Sequence, residues 1–120
     1  MKKILLFLSA LLLAGCAHQQ LNSAQSQFYR ASDGETITFD GSLFTKLEDN
    51  VVQRTITRIL TIKANGEEVI NSGVHPLTLS GEFTGKYHGK TITAICSKGQ
   101  AAMNCLILVN NERAVTLSIF

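Results

Sequence analysis

Between Thr55 and Lys63 the chain reads T-I-T-R-I-L-T-I-K, a run dominated by β-branched side chains, and Asn65-Gly66 follows at once. β-Branched residues lose rotamer freedom in a helix and suit the pleated surface of a sheet, so the run is read as a strand despite some helical periodicity. Asn-Gly tolerates the positive φ angles of a two-residue hairpin, so the strand is expected to turn there and return through residues 67–71. A tight turn sets Lys63 opposite Glu68 and Ile62 opposite Val69, an ion pair beside an apolar pair. The stretch from Val51 to Lys63 would be long for one strand, with Arg54 and Arg58 on the same face as Ile56, Leu60 and Ile62. A bulge or bend is therefore expected in it.

The same grammar recurs from Phe28 to the C-terminus. Residues 35–39 and 42–47 flank Asp40-Gly41, which is read as a hairpin turn placing Ile37 opposite Phe44 and Glu35 opposite Lys46. Residues 77–83 and 91–96 flank a glycine-rich segment with His88-Gly89 as its turn, and residues 105–109 and 112–120 flank Asn110-Asn111. In the last hairpin Leu106, Leu108, Val115, Leu117 and Ile119 are read as one core-facing set. About seven or eight short strands imply an all-β fold, either a small antiparallel sandwich or a partly open barrel, and the pattern does not choose between them.

Ahead of this domain, Lys2 and Lys3 precede an apolar run from Ile4 to Leu13, followed by Leu13-Ala14-Gly15-Cys16. About ten apolar residues fall short of the roughly 20 that cross a hydrocarbon core, so the segment is read as a secretion signal. Small residues before the cysteine let the chain lie extended in a peptidase cleft, and the thiol is a nucleophile able to take a diacylglyceryl group. On these residues the N-terminus resembles bacterial lipoproteins, with Leu13-Ala14-Gly15-Cys16 as the lipobox. The resemblance implies removal of residues 1–15, lipidation of Cys16 and often acylation of the new amino group. The partner it implies is the lipid bilayer, held through acyl chains on Cys16. Ala17 stands where an Asp is the usual retention signal, which in a Gram-negative host of the enterobacterial kind implies the outer membrane, facing the periplasm.

Several properties change meaning once the signal is set aside. Of 11 Lys and Arg, two lie in the signal, leaving nine against nine Asp and Glu. The mature chain is neutral and carries no electrostatic footprint for nucleic acid. Residues 16–27 are read as a lipidated N-terminus and flexible tether, since Leu21 is the only large apolar side chain after Cys16; 11 residues of coil span roughly 17 to 20 Å. An alternative is a segment that folds on a partner. Residues 28–120 then form one domain with a modest core. With Cys16 occupied by lipid, Cys96 and Cys105 remain, and beyond the inner membrane a disulfide between them is the economical pairing. Such a bridge is worth roughly 2.5 to 3 kcal/mol on the chain-entropy model. A redox pair or metal site is the alternative, though the spacing is not C-x-x-C and no nearby His completes a ligand set.

Little in the chain carries reactive chemistry. His18 falls in the tether, His75 precedes Pro76 and His88 precedes a turn glycine. There is no G-x-S-x-G, H-E-x-x-H or phosphate-binding glycine loop, and no catalytic residue, metal or cofactor is assigned. A metal set of His75, Glu82 and His88 rests on composition alone. Asp33, Asp40 and Asp49 fall in expected turns. Lys86, Tyr87, His88 and Lys90 form the candidate binding loop, an aromatic and cations among glycines that suits a glycan, phosphate or protein partner. The competing reading is a solvated hairpin end. Three function classes follow. The first is a non-enzymatic envelope module that binds another envelope protein, in assembly of a larger machine. The second is an inhibitor or immunity-type protein acting on a cell-wall hydrolase or toxin, similar in general plan to periplasmic lysozyme inhibitors but matching none of their motifs. The third, an enzyme or small-ligand carrier, requires a pocket with converging polar groups.

Overall fold

The computed structural model describes residues 17–49 and 51–120, so Cys16 and the lipobox lie outside the described residues. Nine strands occur among them: β1 (Ala17–Ser23), β2 (Gln27–Arg30), β3 (Thr36–Asp49), β4 (Arg54–Ala64), β5 (Glu67–Gly73), β6 (Gly81–Tyr87), β7 (Lys90–Lys98), β8 (Met103–Val109) and β9 (Glu112–Ile119). All pairings are antiparallel. The first five strands form one sheet and the last four a second, in the order β6-β7-β8-β9. The fold is all-β, as expected, with two facing sheets that do not close into a barrel.

The 14-residue strand β3 organises the first sheet. One of its edges pairs with β4 from Phe39 to Asp49; along the other, β2 covers Thr36 to Phe39 and β1 covers Ser42 to Glu48. Residues 17–23, expected as coil from their composition, are thus a strand. Their polar character suits an edge strand that stays largely wet on both faces: Gln19 and Gln20 are exposed, and Leu21, opposite Phe44, is 65% exposed.

Turns whose chemistry is local form where expected. Asn65-Gly66 has φ of 49° and 80°, His88-Gly89 47° and 77°, and Asn110-Asn111 50° and 68°, so both central residues of each hairpin are left-handed. Asp40-Gly41 is not a turn. Gly41 pairs with Ile62 in mid-strand, and a Cβ there would sit 3.0 Å from the Leu117 side chain and 3.3 Å from that of Ile62. The glycine lets the facing sheets approach closely. The neighbours expected from a turn at this place change accordingly: Ile37 pairs with Tyr29, while Lys46 makes a 2.8 Å ion pair with Glu48.

Two bulges decide which side chains enter the core. Lys63 is opposite Glu68 as expected, but the β4–β5 register then shifts and Ile62 meets Ile70. Ile70 is accordingly buried, while Val69 only packs against the core. A second shift between Ile107 and Leu108 sets Ile107 opposite Val115 and Cys105 opposite Leu117. One inserted residue exchanges the faces of a strand. Leu117 and Ile119 are core residues as read, but Met103, Cys105, Ile107 and Val109 join them, and Leu106 and Leu108 are only partly buried on the other face. Each large side chain wholly removed from water here contributes roughly 1.5 to 3 kcal/mol.

The sheets are fastened along both sides. At one, the bulged Val69 carbonyl on β5 lies against Gly85 of β6, where a Cβ would approach it to 2.0 Å. At the other, an isolated bridge joins Ala24 to Ile119. Cys96 and Cys105 are directly opposite in the β7–β8 register, with a Cα separation of 4.1 Å, and form the disulfide inside the core.

Candidate functional site

The two ends of the molecule differ in chemistry. At one end lies the segment expected as a binding loop. Its turn is imposed by His88-Gly89, and the antiparallel register sets Tyr87 opposite Lys90. Tyr87 points into the core with 4% exposure, and its hydroxyl accepts a 2.9 Å hydrogen bond from the Asn65 side-chain amide. Asn65 also donates to the Thr36 carbonyl at 3.3 Å and accepts from the Thr38 amide at 2.8 Å, tying the β4–β5 turn to β3 and to the opposite sheet.

Lys90 is committed as well. Its ammonium contacts Asp33 and Glu35 at 2.8 Å each, and its side chain is only 12% exposed. Those carboxylates sit on the β2–β3 turn, where Asp33 accepts from the Glu35 amide at 3.0 Å and Gly34 adopts φ 89°. The hydrogen bond from Lys90 is the main cause holding both carboxyls below their ordinary range. In turn the two carboxylates, Asp33 first, raise the Lys90 ammonium above the usual lysine range. His88 lies 3.2 Å from Glu35 and stacks on Tyr87 with ring centroids 3.9 Å apart. Lys86 donates to the Thr91 hydroxyl at 2.7 Å. His88 and Lys90 thus clasp the β2–β3 turn to the β6–β7 hairpin, Tyr87 holds the β4–β5 turn through Asn65, and Lys86 stays exposed on its own hairpin, so the segment does not present a free aromatic flanked by two free cations.

The other end holds an open groove. β1, β3 and β4 run on past the point where the second sheet stops, and their inward face continues by alternation through Asn22, Leu43 and Leu60, then Gln20, Thr45 and Arg58, then Leu47 and Ile56. Where this face meets the β7–β8 turn and the C-terminus, a groove of about 270 Å³ is lined by Gln20, Asn22, Arg58, Leu79, Met103 and Phe120 among others. A second concavity, of about 390 Å³, lies along Gln19, Gln20, Thr45, Leu47, Ile56 and Arg58. Arg58 lines both, and its Nε is buried without a hydrogen-bond partner among the described residues. An unpaired guanidinium nitrogen removed from water costs about 1 to 3 kcal/mol, and an incoming carboxylate or carbonyl would satisfy it.

Leu79 shapes the edge of this groove. It has φ 52°, uncommon for a bulky side chain, and is 9% exposed. The loop before it is tightened by His75, whose Nδ1 accepts from the amides of Leu77 and Thr78 at 3.3 and 3.2 Å and whose carbonyl accepts from that of Leu79 at 3.1 Å. His75 therefore works as a turn former after which the chain re-enters the core. Among the described residues no three His, Cys, Asp or Glu side chains gather as a metal site, so His75, Glu82 and His88 are not assembled into one.

The groove has a sequence signal of its own, the exposed-looking Arg58 on the apolar face of a long strand, but locating it required knowing where the second sheet ends. Comparison with protein-family models, with curated proteins and with solved structures finds no match for the chain.

Proposed function

We propose that the protein is a lipid-anchored, non-enzymatic module of the bacterial envelope whose β-domain docks another envelope protein, and that it sits at the outer membrane facing the periplasm. The observation that carries the docking reading is the pairing of a free strand edge with an open groove. Among the described residues β1 pairs as a strand with β3 alone, and although the Ser23 carbonyl accepts from the Phe120 amide, the outer edge before it offers backbone donors and acceptors beside the groove that Arg58 lines. An extended segment of a partner added at that edge would gain main-chain hydrogen bonds, and a further part of the same partner entering the groove would bring a carboxylate or carbonyl to Arg58. The buried Cys96–Cys105 disulfide supports an oxidising compartment, in keeping with export. An inhibitor acting through residues 84–90 would first have to break the Lys90 ion pairs.

The test is site-specific photo-crosslinking in cells. A photoreactive residue at Gln20 should yield a defined protein adduct that weakens at least several-fold with Arg58→Ala, whereas one at Glu67 should not. Recovery of lipid alone from the Gln20 probe would overturn the docking reading.

A further inference from the structure

We propose that the end of the β3–β4 hairpin is a membrane-seating surface, and that Val51 and Val52 enter the interfacial layer of the bilayer leaflet that holds the acyl chains. The proposal rests on the lipid-anchor reading of Cys16.

The strand register brings the anchor and this hairpin end together. Ala17 is the first residue of β1 and pairs with Glu48, one residue before β3 ends at Asp49. Cys16 is bonded to Ala17, and consecutive Cα atoms lie about 3.8 Å apart. No length of coil separates the lipid attachment point from the sheet, so the domain cannot stand off on a tether. The polar layer on each side of the hydrocarbon core is only about 5 to 8 Å deep. The sheet end one residue from the acylated cysteine therefore lies at that layer, and Val51 and Val52 follow the end of β3 at Asp49 by two and three residues.

The side chains at this end suit a lipid surface. Val51 and Val52 have relative exposures of 107% and 95%, the most solvent-open large apolar side chains among the described residues. The charges behind them are balanced: Lys46 pairs with Glu48 at 2.8 Å and Arg54 with Asp49 at 3.5 Å. Each carboxylate nearest the bilayer thus has a cation beside it, which lessens its repulsion from anionic headgroups. Seating the hairpin adds buried apolar area to the acyl anchor and fixes the orientation of the β1 edge relative to the membrane.

The absence of tryptophan from the chain makes the test direct. The acylated mature protein is placed in phosphatidylethanolamine and phosphatidylglycerol vesicles containing brominated lipid, carrying either Val52→Trp or Glu67→Trp. Glu67, the first residue of β5, pairs with Ala64 at the far end of β4, about 35 Å from the start of that strand by its rise. Val52→Trp should show a blue-shifted emission and quenching at least about twofold stronger than Glu67→Trp, since a tip residue sits in the interface. With native side chains, the Val51 and Val52 methyl resonances of the wild-type protein in nanodiscs doped with a gadolinium-chelating lipid should broaden more than that of Ile70. Intact mass separates the two ways of failing. An acylated protein with equal quenching and equal broadening at both ends overturns the seating proposal and leaves the anchor standing. A protein without acyl mass overturns the anchor reading, and the proposal with it. Loss of the tip signals on raising protein concentration without lipid would assign the surface to a second copy instead.

Discussion

Strands β3 and β4 each belong to two environments, and the contrast between their halves shows what the second sheet contributes. In the covered half, Ile37, Phe39, Leu60, Ile62 and Ala64 are at 0% exposure. In the open half the same faces continue with Thr45, Leu47, Ile56 and Arg58, all only partly buried. Alternation along the strands is unbroken. What changes is whether β6 to β9 lie opposite, and so one half is a core while the other is a groove able to accept a partner.

Substitutions should separate the halves by size of effect. Phe39→Ala should cost about 3 to 5 kcal/mol in urea unfolding, whereas Leu47→Ala should cost about 1 kcal/mol or less because little apolar area is removed from water there. Equal losses would mean that the open half is covered in solution. At the seam between sheets, Gly85→Ala should cost about 3 kcal/mol, since the added Cβ meets the Val69 carbonyl; Gly73→Ala, where a Cβ meets nothing within 4 Å, should be nearly neutral. Replacing Cys96 and Cys105 together by Ala should lower stability by about 2.5 kcal/mol, read from the urea midpoint without reductant.

Arg58→Met should raise stability by about 1 kcal/mol, by removing a buried donor without a partner, while weakening the Gln20 crosslink. A loss of stability instead would place Arg58 with the structural half. The smallest effect belongs to the clasp. Because Lys90 holds Asp33 and Glu35 below their ordinary values, their contribution is present at neutral pH and is lost as pH falls through those depressed values. Lys90, raised, contributes fully at neutral pH and loses its part only at strongly alkaline pH. The stability gap between wild type and Lys90→Met should therefore close on acidification, measured as urea midpoints across the carboxylate range.

What could be read from residues alone follows a physical division. A left-handed turn is a local property, and Asn65-Gly66, His88-Gly89 and Asn110-Asn111 each satisfy it within the hairpin itself. Asp40-Gly41 carries the same chemistry, yet its glycine answers to Leu117, far along the chain, so the local signal pointed the wrong way. Leu106 reads as inward and Val69 as the partner of Ile62 because a bulge inserts a residue without leaving a mark in composition. Residues 17–23 read as coil because a polar strand needs a neighbour's backbone, not its own apolar face, to form. The clasp was legible as a cluster of residue types around Tyr87, but not as a set of closed ion pairs, because its carboxylate partners lie on the β2–β3 turn.

The sequence by itself determined most strand-forming stretches and the three type-specific turns, since backbone preference acts over short range, and it narrowed the cysteine pairing once Cys16 is given to lipid. Only the tertiary structure decided which face of each bulged strand is buried, that β1 is part of the sheet, and that the second sheet stops short of Thr45 and Arg58. Those outcomes depend on register and on where two sheets meet, and both are settled by packing between residues that the chain order keeps apart.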